Sequence, residues 1–115
     1  MKQYNNPKGA SGETLVCEYL IKNKYKLIER NFKNKIGEID IIAQKDDYIV
    51  FVEVKARDTL SFGRPGEAVN YYKQQKIKKV ALSYLKFKHL MDCAVRFDVA
   101  EVLDGKLDNY IENAF

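Results

Sequence analysis

Asp40, Glu53 and Lys55 are the residues whose types and spacing fit a hydrolytic metal centre. Glu53-Val54-Lys55 ends the apolar run Tyr48 to Val54, and Gly37-Glu38-Ile39-Asp40 stands on a second such run. Side chains two apart on a strand share a face, so a carboxylate and an ammonium would project together beside carboxylates of the neighbouring strand. Carboxylates brought side by side repel, and each then favours its protonated form. A divalent cation removes that conflict, and hard oxygen donors suit Mg²⁺ or Mn²⁺ better than zinc. Phosphodiester hydrolysis is the chemistry such a centre would serve.

The two runs must be placed against each other for this to work. An antiparallel hairpin closed at Lys45-Asp46-Asp47-Tyr48, with Asp46 and Asp47 as a two-residue loop, sets the register by counting outward. Ile42 then faces Phe51, Asp40 faces Glu53 and Glu38 faces Lys55, with opposed Cβ atoms roughly 4.5–5.5 Å apart. A one-residue slip would send all of them to the other face. A solvated strand of alternating charge is the competing reading of Glu53 and Lys55. Against it, Val50, Val52, Val54, Ile39 and Ile41 supply one apolar face, while Ile42 and Phe51 make the other apolar as well. A strand pair covered on both sides cannot carry charge cheaply unless the charge is paired or bound to metal.

The remaining elements follow from periodicity and turn residues. Gly9 to Lys24 has helical apolar spacing at Ala10, Leu15, Val16, Tyr19 and Leu20. Tyr25 to Phe32, Lys35 to Gln44 and Tyr48 to Arg57 are expected as a three-strand meander, and Asp58 to Gly66, with glycines and a proline, as a loop. Glu67 to Lys88 is expected as a second helix with Val69, Ile77, Val80, Ala81, Tyr84 and Leu85 buried. Ala94 to Leu103 returns as a strand, Asp104-Gly105 signals a turn, and Leu107 to Ile111 is a candidate edge strand. The order is α/β, αβββαβ with a short addition. A helix between the third and fourth strands implies a parallel pair there, hence a mixed sheet flanked by helices.

At 115 residues the chain is expected to be one domain spanning 1–115. Its 46% hydrophobic content supports a core, and no stretch approaches the roughly 18 apolar residues of a membrane span. The polar start Met1 to Pro7 does not resemble a signal peptide, so a cytoplasmic protein is expected, with no membrane partner. Cys17 and Cys93 lack CxxC spacing and are expected as free or buried thiols; His89 is the only histidine, which leaves triad chemistry without a base in a suitable setting.

Net charge is +4, and its distribution is uneven. From Glu67 to His89 the only acid is Glu67, against Lys73, Lys76, Lys78, Lys79, Lys86 and Lys88. A basic helix is a candidate footprint for a phosphate backbone, whose neutralisation releases counterions; a solvated helix face is the alternative. Tyr71 and Tyr72 are candidates for stacking on bases, though packing against the sheet is the expectation. Arg96 and Asp98 share a strand face and are expected as a structural ion pair.

Gly12-Glu13, Arg30-Asn31-Phe32, Gly37 to Asp40, Phe51 to Arg57, Phe62-Gly63, Lys73 to Lys76 and Arg96 to Val99 together resemble the bacterial YraN-like family over nearly the whole chain. That family is assigned to the PD-(D/E)xK, restriction-endonuclease-like superfamily and is similar to Holliday-junction resolvases. Ile39 precedes Asp40 where the superfamily pattern has proline, which agrees with the narrower family. The resemblance implies a restriction-endonuclease-like αβββαβ core, with Asp40 and Glu53 binding Mg²⁺ or Mn²⁺ and the Val54 carbonyl as a third ligand. It implies that Lys55 orients or deprotonates the attacking water. Glu13 would complete the site as a ligand or through water; a helix N-terminal acid placed for the dipole is its alternative reading. Glu38 is an alternative partner for Lys55.

Arg57, Arg64, Lys73 and Lys76 are the candidate phosphate contacts. The resulting expectation is a metal-dependent DNA endonuclease or resolvase-like hydrolase, and resolvases of this superfamily work as homodimers because a junction must be cut twice. Two other classes compete: a catalytically silent nucleic-acid-binding module of the same fold, and a protein-interaction scaffold using exposed aromatics. The carboxylate-carboxylate-lysine set favours the first over the second, and the basic helix favours nucleic acid over protein.

Overall fold

A computed structural model describes residues 9–57 and 69–115. Seven elements follow one another: α1 (Gly9–Lys22), β1 (Lys26–Lys33), β2 (Glu38–Lys45), β3 (Tyr48–Arg57), α2 (Tyr71–Phe87), β4 (Ala94–Leu103) and β5 (Lys106–Ile111). The loop expected over Asp58 to Gly66, with Arg64, lies outside the described residues, as does Glu67. The strands form one sheet in sequence order, antiparallel except for the parallel pair β3 and β4. This is the mixed sheet of a restriction-endonuclease-like αβββαβ core, with β5 added at the edge.

Strand alternation builds two cores. Val50 and Val52 of β3 join Val16, Cys17 and Leu20 of α1, with Ile41, Ala43, Ala100 and Val102. Ile49 and Phe51 turn the other way, toward Ile77, Val80, Ala81, Tyr84 and Leu85 of α2. Each helix therefore covers one face, which is why β3 is apolar at nearly every position. No helix among the described residues is long and apolar enough to cross a membrane. Cys17 and Cys93 are free thiols.

Local chemistry corrects two helix boundaries. The expected run of α1 to Lys24 stops at Lys22 because Lys24 takes φ 72, and the Tyr25 and Lys24 N–H groups close back on the carbonyls of Leu20 and Ile21. The α2 helix starts at Tyr71 and not at Glu67, since Asn70 is its cap and accepts the Lys73 N–H at 2.8 Å. Val69 is buried all the same, just ahead of the cap. His89 closes the same helix at φ 59, with Leu90 N–H bonded to the Leu85 carbonyl, a Schellman end that gives the lone histidine a backbone role.

The hairpin turns where counting places it, with Lys45 opposite Tyr48 and Ile42 opposite Phe51. The ladder stops at Ile41 opposite Val52, so the expected pairings of Asp40 with Glu53 and Glu38 with Lys55 are not ladder pairs. On its other edge, β2 pairs Glu38 with Lys33 of β1. Alternation breaks at the same place: Ile41 packs on the α1 side and Ile39 on the α2 side, where Ile39 was expected to share the face of Ile41.

Candidate active site

The break at Asp40 is made by its own side chain. Oδ2 of Asp40 accepts the backbone N–H of Val54 at 2.8 Å, taking a donor that a continuing ladder would have given to a β2 carbonyl. A strand residue's N–H and C=O point to the same edge. The Val54 carbonyl therefore faces the Asp40 side, beyond the end of the β2–β3 ladder.

Glu53, 7% exposed, stands on the α2 face of β3 with Phe51 behind it. Its carboxyl group is within hydrogen-bonding reach of Asp40. Burial, and then the charge of Glu53, push the Asp40 carboxyl up to about 7, against the opposing pull of the Val54 N–H and of Lys73. Lys73 extends from the first turn of α2, fixed by the Asn70 cap, and places Nζ 2.6 Å from Oε2 of Glu53. The structure thus gathers Asp40, Glu53 and Lys73 at the end of the β2–β3 ladder.

Lys55 and Arg57 follow Glu53 on the same face. The buried Nε of Arg57 has no hydrogen-bond partner among the described residues. Such an orphan donor normally costs stability. Lys76 lies exposed one turn further along α2, its Nζ 5.7 Å from the Tyr72 ring centroid.

Glu13 is carried on α1. It pairs with Arg30 of β1 at 3.4 Å, and among the described residues no three His, Cys, Asp or Glu side chains gather as a metal cluster. Gly12 of α1 faces the end of β3, where an added Cβ would lie 3.5 Å from Cβ of Ala56, an ordinary contact distance.

Two features were not foreseen. Glu101, 6% exposed, stands beside Lys55 in the parallel register and on the α2 face with Val99; its described hydrogen bond is to Nδ2 of Asn109 at 3.4 Å. The signal available was an acid inside the apolar run Val99 to Leu103. Tyr71 and Tyr72 are 74% and 73% exposed and do not pack against the sheet as expected. Starting α2 at Asn70 puts both in its solvent-facing first turn. Arg96 and Asp98 do form a structural network: Arg96 pairs with Asp98 at 2.8 Å, and the Tyr110 hydroxyl and Asn113 N–H donate to the same carboxylate.

The donor chemistry fits a hard divalent cation. Two carboxyl groups adjoin a backbone carbonyl, and the repulsion that raises Asp40 is the repulsion a cation relieves.

The fold and this face define an α/β protein with a restriction-endonuclease-like core carrying paired carboxylates and a lysine on the same strand face. The chain belongs to the family described as "Uncharacterised protein family UPF0102", the YraN-like family, whose model matches residues 12–102. It is 51% identical over 109 residues to a UPF0102 protein of Alkaliphilus metalliredigens, covering 93% of this chain and 96% of that one. A UPF0102 protein of Clostridium botulinum (strain Alaska E43 / Type E3) is 46% identical over 120 residues, covering 100% and 98% of the two chains.

Proposed function

We propose that this protein is a Mg²⁺- or Mn²⁺-dependent endonuclease that hydrolyses phosphodiester bonds in DNA. The observation that carries the reading is the convergence of Asp40 and Glu53, with Asp40 raised to about 7 by burial and its neighbour's charge. Two adjoining buried carboxyl groups served by a single lysine are costly, and such perturbed groups cluster at functional sites. Asp40, Glu53 and the Val54 carbonyl are the residues that would hold the ion. When bound, it would supply Lewis acidity and a more acidic water.

The chain's own groups account for the remaining work. Lys55 shares the face of Glu53, where an ammonium orients the attacking water and offsets charge building on the phosphate. Arg57 offers an unsatisfied Nε to a phosphate oxygen, and Lys73 and Lys76 extend the positive surface along α2.

The test is to incubate wild type, Asp40→Asn, Glu53→Gln and Lys55→Ala with branched and linear DNA in Mn²⁺. Wild type is expected to cut, and each variant to bind but fail to cut. Cleavage surviving in all three variants would remove the assigned site.

One observation favours a second reading, a nucleic-acid-binding module without turnover. Lys73 already supplies a cation to Glu53 at 2.6 Å. DNA binding with no Mn²⁺ uptake by the wild type would select that reading.

A further inference from the structure

The exposed face of α2 carries a feature that cutting a phosphodiester does not require. A hollow of about 160 Å³ is lined by Tyr72, Lys76, Lys79 and, from the β1–β2 connection, Ile36. It adjoins a second hollow of about 310 Å³, which shares Ile36 and Lys79 and continues to Leu82 and Lys86. No acidic residue lines either one. The two make one basic groove with an apolar floor, running from the first turn of the helix to its last.

From this groove we infer that α2 is a track for single-stranded nucleic acid, leading away from the Asp40 and Glu53 centre. The inference rests on the nucleic-acid reading above and specifies the form of the substrate. Lys76, Lys79 and Lys86 are spread over ten residues, about 15 Å of helix, enough to meet several consecutive phosphates. Tyr71 and Tyr72 stand at the head of the track, largely exposed, in the same turn as Lys73, which touches Glu53. Exposed aromatic faces beside a lysine-lined groove are the combination that holds unpaired nucleotides, because only an unstacked base offers its ring to a side chain. A closed duplex keeps its bases stacked and could use the lysines alone. The occupant is therefore a strand with unpaired bases, as at a fork, a flap or a single-stranded end.

The groove is tested by fluorescence anisotropy in EDTA, so that cleavage plays no part. The probes are a labelled single-stranded 20-mer, the blunt duplex of the same sequence, and poly-glutamate as an acidic-peptide competitor. Wild type is expected to prefer the single strand at least about 10-fold, as stacking on even one aromatic allows. Tyr72→Ala is expected to lose about 5- to 100-fold in single-strand affinity, with Tyr72→Phe restoring it. The double variant Lys79→Gln and Lys86→Gln should flatten the slope of log affinity against log salt by about 1.4, or roughly 0.7 per phosphate contact.

All of these side chains lie at the surface, and matching thermal melts would establish that the variants fold. Equal affinity for duplex, full competition by poly-glutamate, or an unaffected Tyr72→Ala would each overturn the track. Single-strand binding without any Mn²⁺-dependent cleavage would instead overturn the endonuclease reading and leave the track standing. Cleavage of branched DNA without single-strand preference would do the reverse.

Discussion

Asp40 accepts the backbone N–H of Val54 at 2.8 Å, so a β2 side chain occupies a donor of β3 beyond the end of the ladder. The carboxyl group is thereby held where burial and Glu53 raise it to about 7. A carboxyl raised on folding contributes stability that is fully present below its unfolded value near 3.8 and is lost as pH rises through about 7. With EDTA present, Asp40→Asn keeps the acceptor for Val54 and removes the charge. Its Tm should match wild type near pH 4 and exceed it at pH 8, by an amount reflecting about 2–4 kcal/mol. A flat difference between the two across that range in calorimetry would show that Asp40 is not raised.

The neighbours of Asp40 act in opposite directions, which gives a sharper measurement. Lys73 lowers the Asp40 value and Glu53 raises it. Lys73→Met should therefore move the Asp40 titration above about 7, and Glu53→Gln should move it below. Carboxyl carbon shifts followed by NMR between pH 4 and 9 would read both. Shifts in the same direction would mean that Lys73 and Glu53 do not act on Asp40 through charge.

How far this arrangement was legible depends on the range of the interactions. The β3 strand follows the Asp46-Asp47 turn with the apolar run Ile49 to Val52, and β4 ends at the Asp104-Gly105 turn, so those limits are readable from local sequence. The Asp46-Asp47 turn fixes the register from Lys45–Tyr48 to Ile41–Val52. What was not legible comes from contacts that no periodicity encodes. The Asp40 side chain breaks the ladder it was counted along, which moves Ile39 to the other face. Glu101 meets the Lys55 row only because β3 and β4 run parallel, 46 residues apart in sequence at that pair. Tyr71 and Tyr72 are exposed, not packed on the sheet, because the Asn70 cap starts the helix at Tyr71 and puts both in its solvent-facing first turn.

Away from the site, Asp98 is expected to matter to stability alone. It is 0% exposed and accepts from Arg96, from the Tyr110 hydroxyl at 2.7 Å and from Asn113 N–H at 2.9 Å, joining β4 to β5 and the segment after it. Removing one member of a buried ion pair leaves the other uncompensated, at about 3–5 kcal/mol. Asp98→Ala should lower the urea midpoint accordingly, while DNA affinity at low temperature stays within about twofold, as expected for a site on the opposite face of the sheet. A loss below about 1 kcal/mol would mean that the network is not a structural clamp.

Lys55 and Glu101 make the last case. They are Cα partners across the parallel β3–β4 pair, both on the α2 face, and Glu101 is buried with one described hydrogen bond, to Asn109. A buried carboxylate needs a nearby cation, and Lys55 is the cation its register supplies. Replacing Lys55 by Met should therefore destabilise the protein as well as stop any cleavage, whereas a lysine serving chemistry alone would leave stability unchanged or improved. Adding Glu101→Gln, which keeps the group's size while removing its charge, should recover much of that loss. A double-mutant cycle from urea melts should give a coupling of about 0.5–2 kcal/mol. Strict additivity would separate the two residues and leave Lys55 with the site at Asp40 and Glu53 alone.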